Sequence, residues 1–262
     1  MSEVRNKHRF NVDIPEDSDV TYKKGQTPAL LNGMMIACAE FIGTAVLVFL
    51  SCMGCTKGMF GENIPVLQTS LASGLSVTTA IQMFSHISGA HVNPAVTLCA
   101  LIMGEISLAS VPIYVGSQIA GSLTGYALLK AVTPDKHLDV SYGHCVTLPH
   151  DEISLLQACL VEFIATFIMA VAICASWDPR NYAKGDSVSL RIGIIVFLLN
   201  ITAGPYTGAS MNPARSFGPT VWNSKWHSHW VYWIGPVLGA SLAGQFYKMI
   251  FLRSEKKKRL NC

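Results

Sequence analysis

Charged residues are scarce in this chain of 262 residues: Asp, Glu, Lys and Arg together make up 13% of it, while 50% of the residues are apolar. The mean hydropathy of +0.38 is too high for a soluble domain of this length. The apolar residues fall in long runs that few charges interrupt. These features argue against an ordinary soluble protein and predict one compact membrane domain.

Residue patterns typical of enzymes and metal sites are also lacking. No nucleophile–base pair is apparent, so neither an enzyme nor a cofactor is expected. Among the eight cysteines, Cys52 and Cys55 form a lone C-x-x-C without a second pair or histidine ligands, which is a poor metal site. The cysteines at 38, 99, 159 and 174 lie in apolar runs, where a thiol behaves as a small hydrophobe.

The chain contains an internal repeat. Asn-Pro-Ala occurs at 93–95 and again at 212–214, and its flanks repeat with it: SGAHVNPAVTL against TGASMNPARSFG. AEFIGT returns as VEFIAT and AGSLTG returns as GASLAG, with similar shifts. A unit of roughly 115 to 120 residues is too long for a solenoid and fits the duplicated halves of a membrane transporter or channel.

Six apolar runs of about 20 residues are long enough to cross the hydrocarbon core of a membrane. They lie near 33–55, 67–86, 107–131, 154–176, 190–205 and 229–251. Because each half holds three spans, an odd number, the halves insert in opposite orientations. The predicted organisation is a tail at 1–32, a channel domain at 33–252 with repeats at about 33–131 and 154–252, and a basic tail at 253–262.

Lys and Arg residues concentrate before the first span, between the fourth and fifth spans, and at the end of the chain. The positive-inside rule therefore places both termini in the cytoplasm. The first 32 residues lack the apolar core of a signal peptide, so no cleaved signal is expected. Binding of the basic tail to nucleic acid is a weaker alternative than flanking charge near anionic membrane lipids.

Each Asn-Pro-Ala copy predicts the start of a helix, because Asn is a favoured N-cap and Pro a favoured first helical residue. The stretches that follow, from Ala95 to about Met103 and from Ala214 to about Trp222, span about 15 Å, half of the hydrocarbon thickness. The predicted fold is therefore an all-α membrane protein with six transmembrane helices and two re-entrant half-helices.

A short segment, termed a leg, precedes each motif: 88–92 in the first half and 207–211 in the second. Non-helical backbone at membrane depth is tolerated where it lines a wet cavity. Backbone carbonyls are thus predicted to replace water around a permeant in single file, at Gly89, Ala90, His91, Gly208, Ala209 and Ser210. If each Oδ1 caps its own half-helix, the Nδ2 hydrogens of Asn93 and Asn212 remain as donors toward the pore, where the positive helix ends repel cations. Ordinary caps in buried loops are the alternative.

Two segments identify a known family: HISGAHVNPAVT at 86–97 and GASMNPARSFGP at 208–219. Through these segments the chain resembles the aquaporin (major intrinsic protein) family, and the resemblance covers about residues 33 to 252. Pro94, Ala95, Pro213 and Ala214 complete the two motifs. The resemblance implies a six-span bundle with one pore per subunit, assembled as a homotetramer. It also implies that the protein lies in the plasma membrane. It also implies passive conduction that excludes ions and protons.

Three buried charges need an explanation. By resemblance, Arg215 lies at the narrow outer constriction, where it holds a permeant's oxygen and rejects cations; a structural ion pair is the alternative. Glu40 and Glu162 occupy equivalent positions in spans one and four. They are expected to accept hydrogen bonds from the re-entrant loops rather than to relay protons. Trp226, Trp230, Tyr232 and Trp233 are interpreted as an interfacial aromatic belt.

The family's outer filter has four positions. Ser73 stands where water-selective members carry Phe, Asn200 where they carry His, and Ala209 where many carry Cys; only Arg215 is retained. Smaller side chains predict a wider constriction that passes glycerol and urea as well as water, and the filter resembles that of the insect entomoglyceroporin branch. Ser216, where glycerol facilitators carry Asp, favours the alternative of a water-selective channel without significant glycerol or urea flux.

Overall fold

The structure is a computed structural model that describes residues 29–57, 65–138 and 143–252. These residues form eight α-helices and no strand. In chain order the helices are α1 (Ala29–Met53), α2 (Val66–Ser88), α3 (Pro94–Met103), α4 (Val111–Val132), α5 (Leu155–Trp177), α6 (Val188–Thr207), α7 (Pro213–Asn223) and α8 (Val231–Tyr247). Three short 3-10 helices (Leu108–Ser110, Asp135–His137 and Pro179–Ser187) join them, and a π-helical turn, Lys248–Leu252, follows α8. The predicted all-α fold of six long and two short helices is confirmed.

The six long helices match the predicted spans in number and order, with ends that differ by a few residues. By length and composition, three helical stretches could cross a membrane: Leu30–Met53, Leu155–Trp177 and the continuous Pro179–Thr207. α8 has only 17 residues, and α2 and α4 are rich in Ser, Thr and Gly. The predicted N-terminal tail, 1–32, is too long, because α1 begins at Ala29. Residues 1–28 and the predicted tail at 253–262 lie outside the described residues.

The two halves are built alike. α1 packs on α4 in the first half and α5 packs on α8 in the second, while α2 and α6 meet between the halves. A Cβ added to Gly121 of α4 would collide with the carbonyl oxygen of Phe41, and one added to Gly239 of α8 would collide with that of Phe163. The repeated AGSLTG and GASLAG segments thus bring the helix backbones into close contact, as small residues do in membrane bundles.

Large apolar side chains cover the outside of the bundle. On α5, every fourth residue from Leu156 through Leu160, Ile164 and Ile168 is exposed, and α6 and α8 show the same four-residue spacing. The interior holds apolar clusters and also polar groups, with Glu40, Glu162 and Gln118 fully buried. An apolar outer surface around an interior that contains polar groups is the arrangement of an integral membrane protein whose helices face lipid.

Candidate pore and selectivity filter

The two half-helices begin at the prolines of the Asn-Pro-Ala motifs. Asn93 is in an extended conformation, and its Oδ1 accepts a hydrogen bond from Ala95 N at 2.9 Å. Asn212 is also extended, and its Oδ1 accepts from Ala214 N at 3.0 Å and from Arg215 N at 3.2 Å. Each Asn therefore satisfies backbone donors that the first helical turn leaves without partners.

The same two asparagines connect the halves of the molecule. Asn93 Nδ2 donates to the carbonyl of Met211, and Asn212 Nδ2 donates to the carbonyl of Val92, both at 2.8 Å. A side-chain amide has two N–H donors, so one on each Asn is used here and one remains. The sequence predicted that both hydrogens of each amide would be free for the pore, and it did not indicate the Val92 and Met211 carbonyls as acceptors.

The legs owe their shape to an unusual backbone conformation. Ala90 and Val92 have positive φ of 47° and 45°, and Ala209 and Met211 repeat this in the second leg with 44° and 52°. Residues with a Cβ adopt this left-handed region at a cost of about 1–2 kcal/mol each, so surrounding interactions must hold them there.

Glu40 supplies those interactions in the first half. Its Oε1 accepts from Ser88 Oγ at 2.6 Å and from His91 N at 2.9 Å. Its Oε2 accepts from Val92 N at 2.7 Å and from Gln118 Nε2 at 2.8 Å. A fully buried carboxylate is tolerable only with such a set of donors, and these donors belong mainly to the leg.

Glu162 has the equivalent position in the second half. Its Oε1 accepts from Thr207 Oγ1 at 2.7 Å and from Ser210 N at 2.9 Å, and its Oε2 accepts from Met211 N at 2.8 Å. In both halves, therefore, a buried carboxylate on the first helix accepts hydrogen bonds from backbone N–H groups of the leg.

A tyrosine completes each leg, a role that was not predicted from the sequence for either residue. Tyr114 Oη donates to the carbonyl of Ser88 at 2.7 Å, and Tyr232 Oη donates to the carbonyl of Thr207 at 2.8 Å. Tyr232 is 0% exposed, so its place in the predicted aromatic belt is wrong: its hydroxyl has a buried acceptor instead of an interfacial one. The spacing of 118 residues, close to that of the motifs, was the available signal.

Two cavities lie along the legs. The larger, of about 480 Å³, is lined by Gly89, Ala90, His91, Ser210 and both motif asparagines. The smaller, of about 280 Å³, is lined by Gly208. The larger cavity is also lined by apolar side chains of α2, α5 and α6: Val77, Ile81, Met169, Ile173, Ile192 and Val196. Its lining thus combines polar groups of the legs with hydrocarbon side chains.

The two cavities meet at Ser73 and Arg215, which line both of them. Asn200 lines the smaller cavity, and its Nδ2 donates to the carbonyl of Val196 in its own helix at 3.0 Å. Ala209 lines neither cavity; it is 3% exposed and belongs to the apolar cluster that contains Leu199. Three of the four predicted filter residues therefore come together, while Ala209 is packed behind them.

Arg215 is held by Cys145, a contact that was not predicted from the sequence. Its Nη1 donates to the carbonyl of Cys145 at 2.8 Å, and its Nη2 lies 3.2 Å from Cys145 Sγ. Cys145 forms a disulfide with Cys52 across 93 residues of sequence. Cys52 is therefore part of a cross-link rather than of a lone C-x-x-C, and no local pattern indicates that pairing.

His91 lines the larger cavity. Its ring stacks on Tyr114 with centroids 4.6 Å apart, and its Nδ1 lies 3.3 Å from Thr97 Oγ1. Within the part of the chain that the structure describes, no group of three or more His, Cys, Asp or Glu side chains could hold a metal ion. The two cavities are therefore lined mainly by neutral donors and acceptors, with Arg215 at their junction and Glu105 on the larger one.

Known proteins share this sequence and architecture. A family model described as Major intrinsic protein matches residues 31–247. Aquaporin-4 from Bos taurus is 41% identical over 225 residues, which cover 84% of this chain and 68% of aquaporin-4. Lens fiber major intrinsic protein from Lithobates pipiens is 40% identical over 212 residues, 81% of this chain and 79% of that protein.

A solved structure agrees in fold. The X-ray structure of the aquaglyceroporin from Plasmodium falciparum matches with a TM-score of 0.73 at 25% sequence identity, over 83% of this chain and 96% of that one. The family-model match extends over most of the chain, and both relatives exceed a third identity over four-fifths of it. The chain therefore belongs to the major intrinsic protein family, whose members are membrane channels and not enzymes.

Proposed function

We propose that this channel conducts water together with small neutral solutes such as glycerol and urea, and that it excludes ions and protons. One observation carries the solute range: the two cavities meet between Ser73 and Arg215, with Asn200 beside them. Among the described residues, those lining the smaller cavity include no aromatic ring and no histidine. A constriction bounded by small side chains admits a larger neutral molecule than one bounded by rings.

The mixed lining of the larger cavity supports the same proposal. A polyol or urea can direct its oxygens and N–H groups to the legs and the motif asparagines, while its other face contacts the apolar side chains of α2, α5 and α6. A solute of this kind then keeps its hydrogen bonds without its full hydration shell, which is the condition for entering a narrow pore.

Exclusion of cations has its own support. The starts of α3 and α7 meet near Asn93 and Asn212, and each helix start carries roughly half a positive charge. Arg215 adds a full charge at the junction of the cavities. A cation in the pore would meet both positive fields after losing part of its hydration shell. Each remaining asparagine N–H would orient a water oxygen toward itself, which interrupts the chain of hydrogen bonds needed for proton transfer.

The proposal also includes the orientation of the protein in the membrane, its oligomeric state and the bounds of its channel domain. Both termini are assigned to the cytoplasm and the Arg215 end of the pore to the outside of the plasma membrane. The disulfide at that end supports this orientation, because disulfides persist in oxidising compartments. We further propose a channel domain at 33–252, a homotetramer surrounded by lipid, and a filter of the entomoglyceroporin kind. The aquaglyceroporin with the same fold is compatible with that filter.

Flux measurements on purified protein in proteoliposomes test the solute range. Water, glycerol and urea permeabilities are measured by stopped-flow light scattering, with empty vesicles as the baseline. We expect all three to exceed the baseline, and a proton-sensitive dye inside the vesicles to report no added proton leak. Fast water flux with glycerol and urea at the baseline would establish a water-selective channel and refute the proposed range.

A further inference from the structure

The side chain of Arg215 depends on one residue for its position. The guanidinium makes two contacts, both with Cys145: the carbonyl at 2.8 Å and the sulfur at 3.2 Å. Across residues 29–57, 65–138 and 143–252, the structure gives it no other side-chain hydrogen bond and no ion pair. Ser73 lines the same junction, but it is not a partner in either of these contacts.

Cys145 itself stands in a conformation that needs support. Its φ is +61°, in the left-handed region, which residues other than glycine enter at a cost. In this conformation both its carbonyl and its sulfur contact Arg215. A conformation of this kind persists where neighbouring structure imposes it.

The support comes from the end of α1. Cys52, 0% exposed in the last turn of that helix, is bonded through its sulfur to Cys145. The adjacent His144 is also attached there, with its Nε2 3.2 Å from the Cys52 carbonyl. The His144 carbonyl accepts from Tyr126 Oη at 3.0 Å. The segment that holds Arg215 is thus fixed to the helix bundle by a covalent bond and by hydrogen bonds.

We propose that the Cys52–Cys145 disulfide is the positioning element of the filter: it keeps Cys145 in its left-handed conformation and thereby fixes the Arg215 guanidinium across the gap left by Ser73. Cys52 and Cys145 are positioning residues, since they act on the permeant through Arg215. The inference deepens the proposed function, on which it rests for its solute readout.

The main variant is Cys52→Ala, which removes the covalent link while leaving the Cys145 carbonyl and sulfur in place. Cys38→Ala, an exposed cysteine of the same helix, is the matched control. The readout is the ratio of urea to water permeability in the same vesicles, which does not depend on how many channels are folded. We expect this ratio to change by about threefold or more in Cys52→Ala, and to stay at the wild-type value in Cys38→Ala.

Two further variants separate positioning from general damage. In an Arg215→Ala background, Cys52→Ala should leave the ratio unaltered, because the residue through which it acts is gone. Cys52→Ala/Cys145→Asn should move the ratio back toward the wild-type value, since Asn tolerates the left-handed region and offers an oxygen to Arg215. An unchanged ratio in Cys52→Ala, or an equal change with and without Arg215, would overturn the proposal.

A transport-independent measurement distinguishes this inference from the proposed solute range. Detergent-solubilised protein is treated with phenylglyoxal, and modification of Arg215 is followed by peptide mass spectrometry. Release of the guanidinium from Cys145 should raise its modification rate several-fold in Cys52→Ala over Cys38→Ala. If the wild-type protein conducts no urea, the proposed solute range fails, but the modification rate of Arg215 still decides the role of the disulfide. Equal modification rates in Cys52→Ala and Cys38→Ala would reject the positioning role.

Discussion

The side-chain amides of Asn93 and Asn212 reach across the centre of the molecule in opposite directions, each to the backbone carbonyl that precedes the other: Asn93 to Met211 and Asn212 to Val92, both at 2.8 Å. Each asparagine therefore caps its own half-helix and holds the leg of the other half. The two motifs form one structural unit, although 119 residues separate them in the sequence.

Replacing Asn93 or Asn212 by Ala should destabilise the protein more than an ordinary cap deletion. Each change removes the cap of a buried helix and one crossing hydrogen bond, a loss of about 2–3 kcal/mol in the free energy of unfolding. For a chain of this length we expect the melting temperature in detergent to fall by about 5–10 °C. Thr79→Ala, which removes an exposed side-chain hydrogen bond within α2, is the control. An equal effect in all three variants would contradict the crossing role.

Glu162→Gln should impair folding despite the similar shape of the side chain. Glutamine presents one acceptor oxygen and an NH₂ group where the carboxylate accepts from Thr207, Ser210 and Met211. At least one buried N–H then loses its acceptor, which costs about 2–4 kcal/mol. The measurement is the yield of monodisperse protein in size-exclusion chromatography. Glu152→Gln, at an exposed position, should give the wild-type yield; a normal yield for Glu162→Gln would show that the leg holds its shape without the carboxylate.

Restoring bulk at the junction of the cavities should narrow the solute range. We expect Ser73→Phe/Asn200→His to reduce glycerol and urea permeability about tenfold or more while water permeability stays within about twofold. Leu71→Phe adds a ring at an exposed position of the same helix and should change none of the three fluxes. Undiminished glycerol flux in the double variant would place the size-limiting constriction elsewhere.

Asp178, just beyond the end of α5, predicts a pH dependence of stability. The Arg180 guanidinium, as a hydrogen-bond donor, lowers the pKa of Asp178 from 3.8 to about 2. Because the folded-state pKa is the lower one, the stabilisation is complete above about pH 4 and is lost as the pH falls through 2. The gain is modest, on the order of 1 kcal/mol, since the Arg180 side chain is 49% exposed to solvent.

The comparison that isolates this group is Asp178→Asn against the wild type. The difference in melting temperature between the two proteins should be constant from pH 7 to pH 4.5 and should shrink between pH 4 and pH 2. A difference that is the same at every pH would mean that the charge of Asp178 contributes nothing to the stability of the fold.

The fold was predictable because its strongest signals are local or repeated. Helix starts at Pro94 and Pro213 follow from the capping chemistry of the residue before each, and the number of long helices follows from apolar runs of membrane length. The equivalent positions of Glu40 and Glu162 were visible in the repeat, as those of Tyr114 and Tyr232 would have been. The roles assigned to the filter residues remain predictions until fluxes are measured.

The rest of the site depends on contacts between distant segments. Nothing local indicates that Val92 and Met211 adopt the left-handed region, since residues with large side chains disfavour it; carboxylates some 50 positions earlier impose it. Cys145 likewise gains its importance from Cys52, 93 positions away. Ala209 is a further example. Its spacing from the motif assigns it to the filter by family resemblance, but in the structure it packs in an apolar cluster.

The crossing hydrogen bonds have a consequence for the order of assembly during synthesis. The donors to Glu40 all lie between Ser88 and Gln118, so the first leg can be completed from the first half of the chain alone. The acceptor for Asn93 Nδ2, the Met211 carbonyl, is made 118 residues later. The crossing at the centre of the pore therefore cannot form until the second leg has been made, and a chain that stops after α4 lacks the acceptor for Asn93 Nδ2.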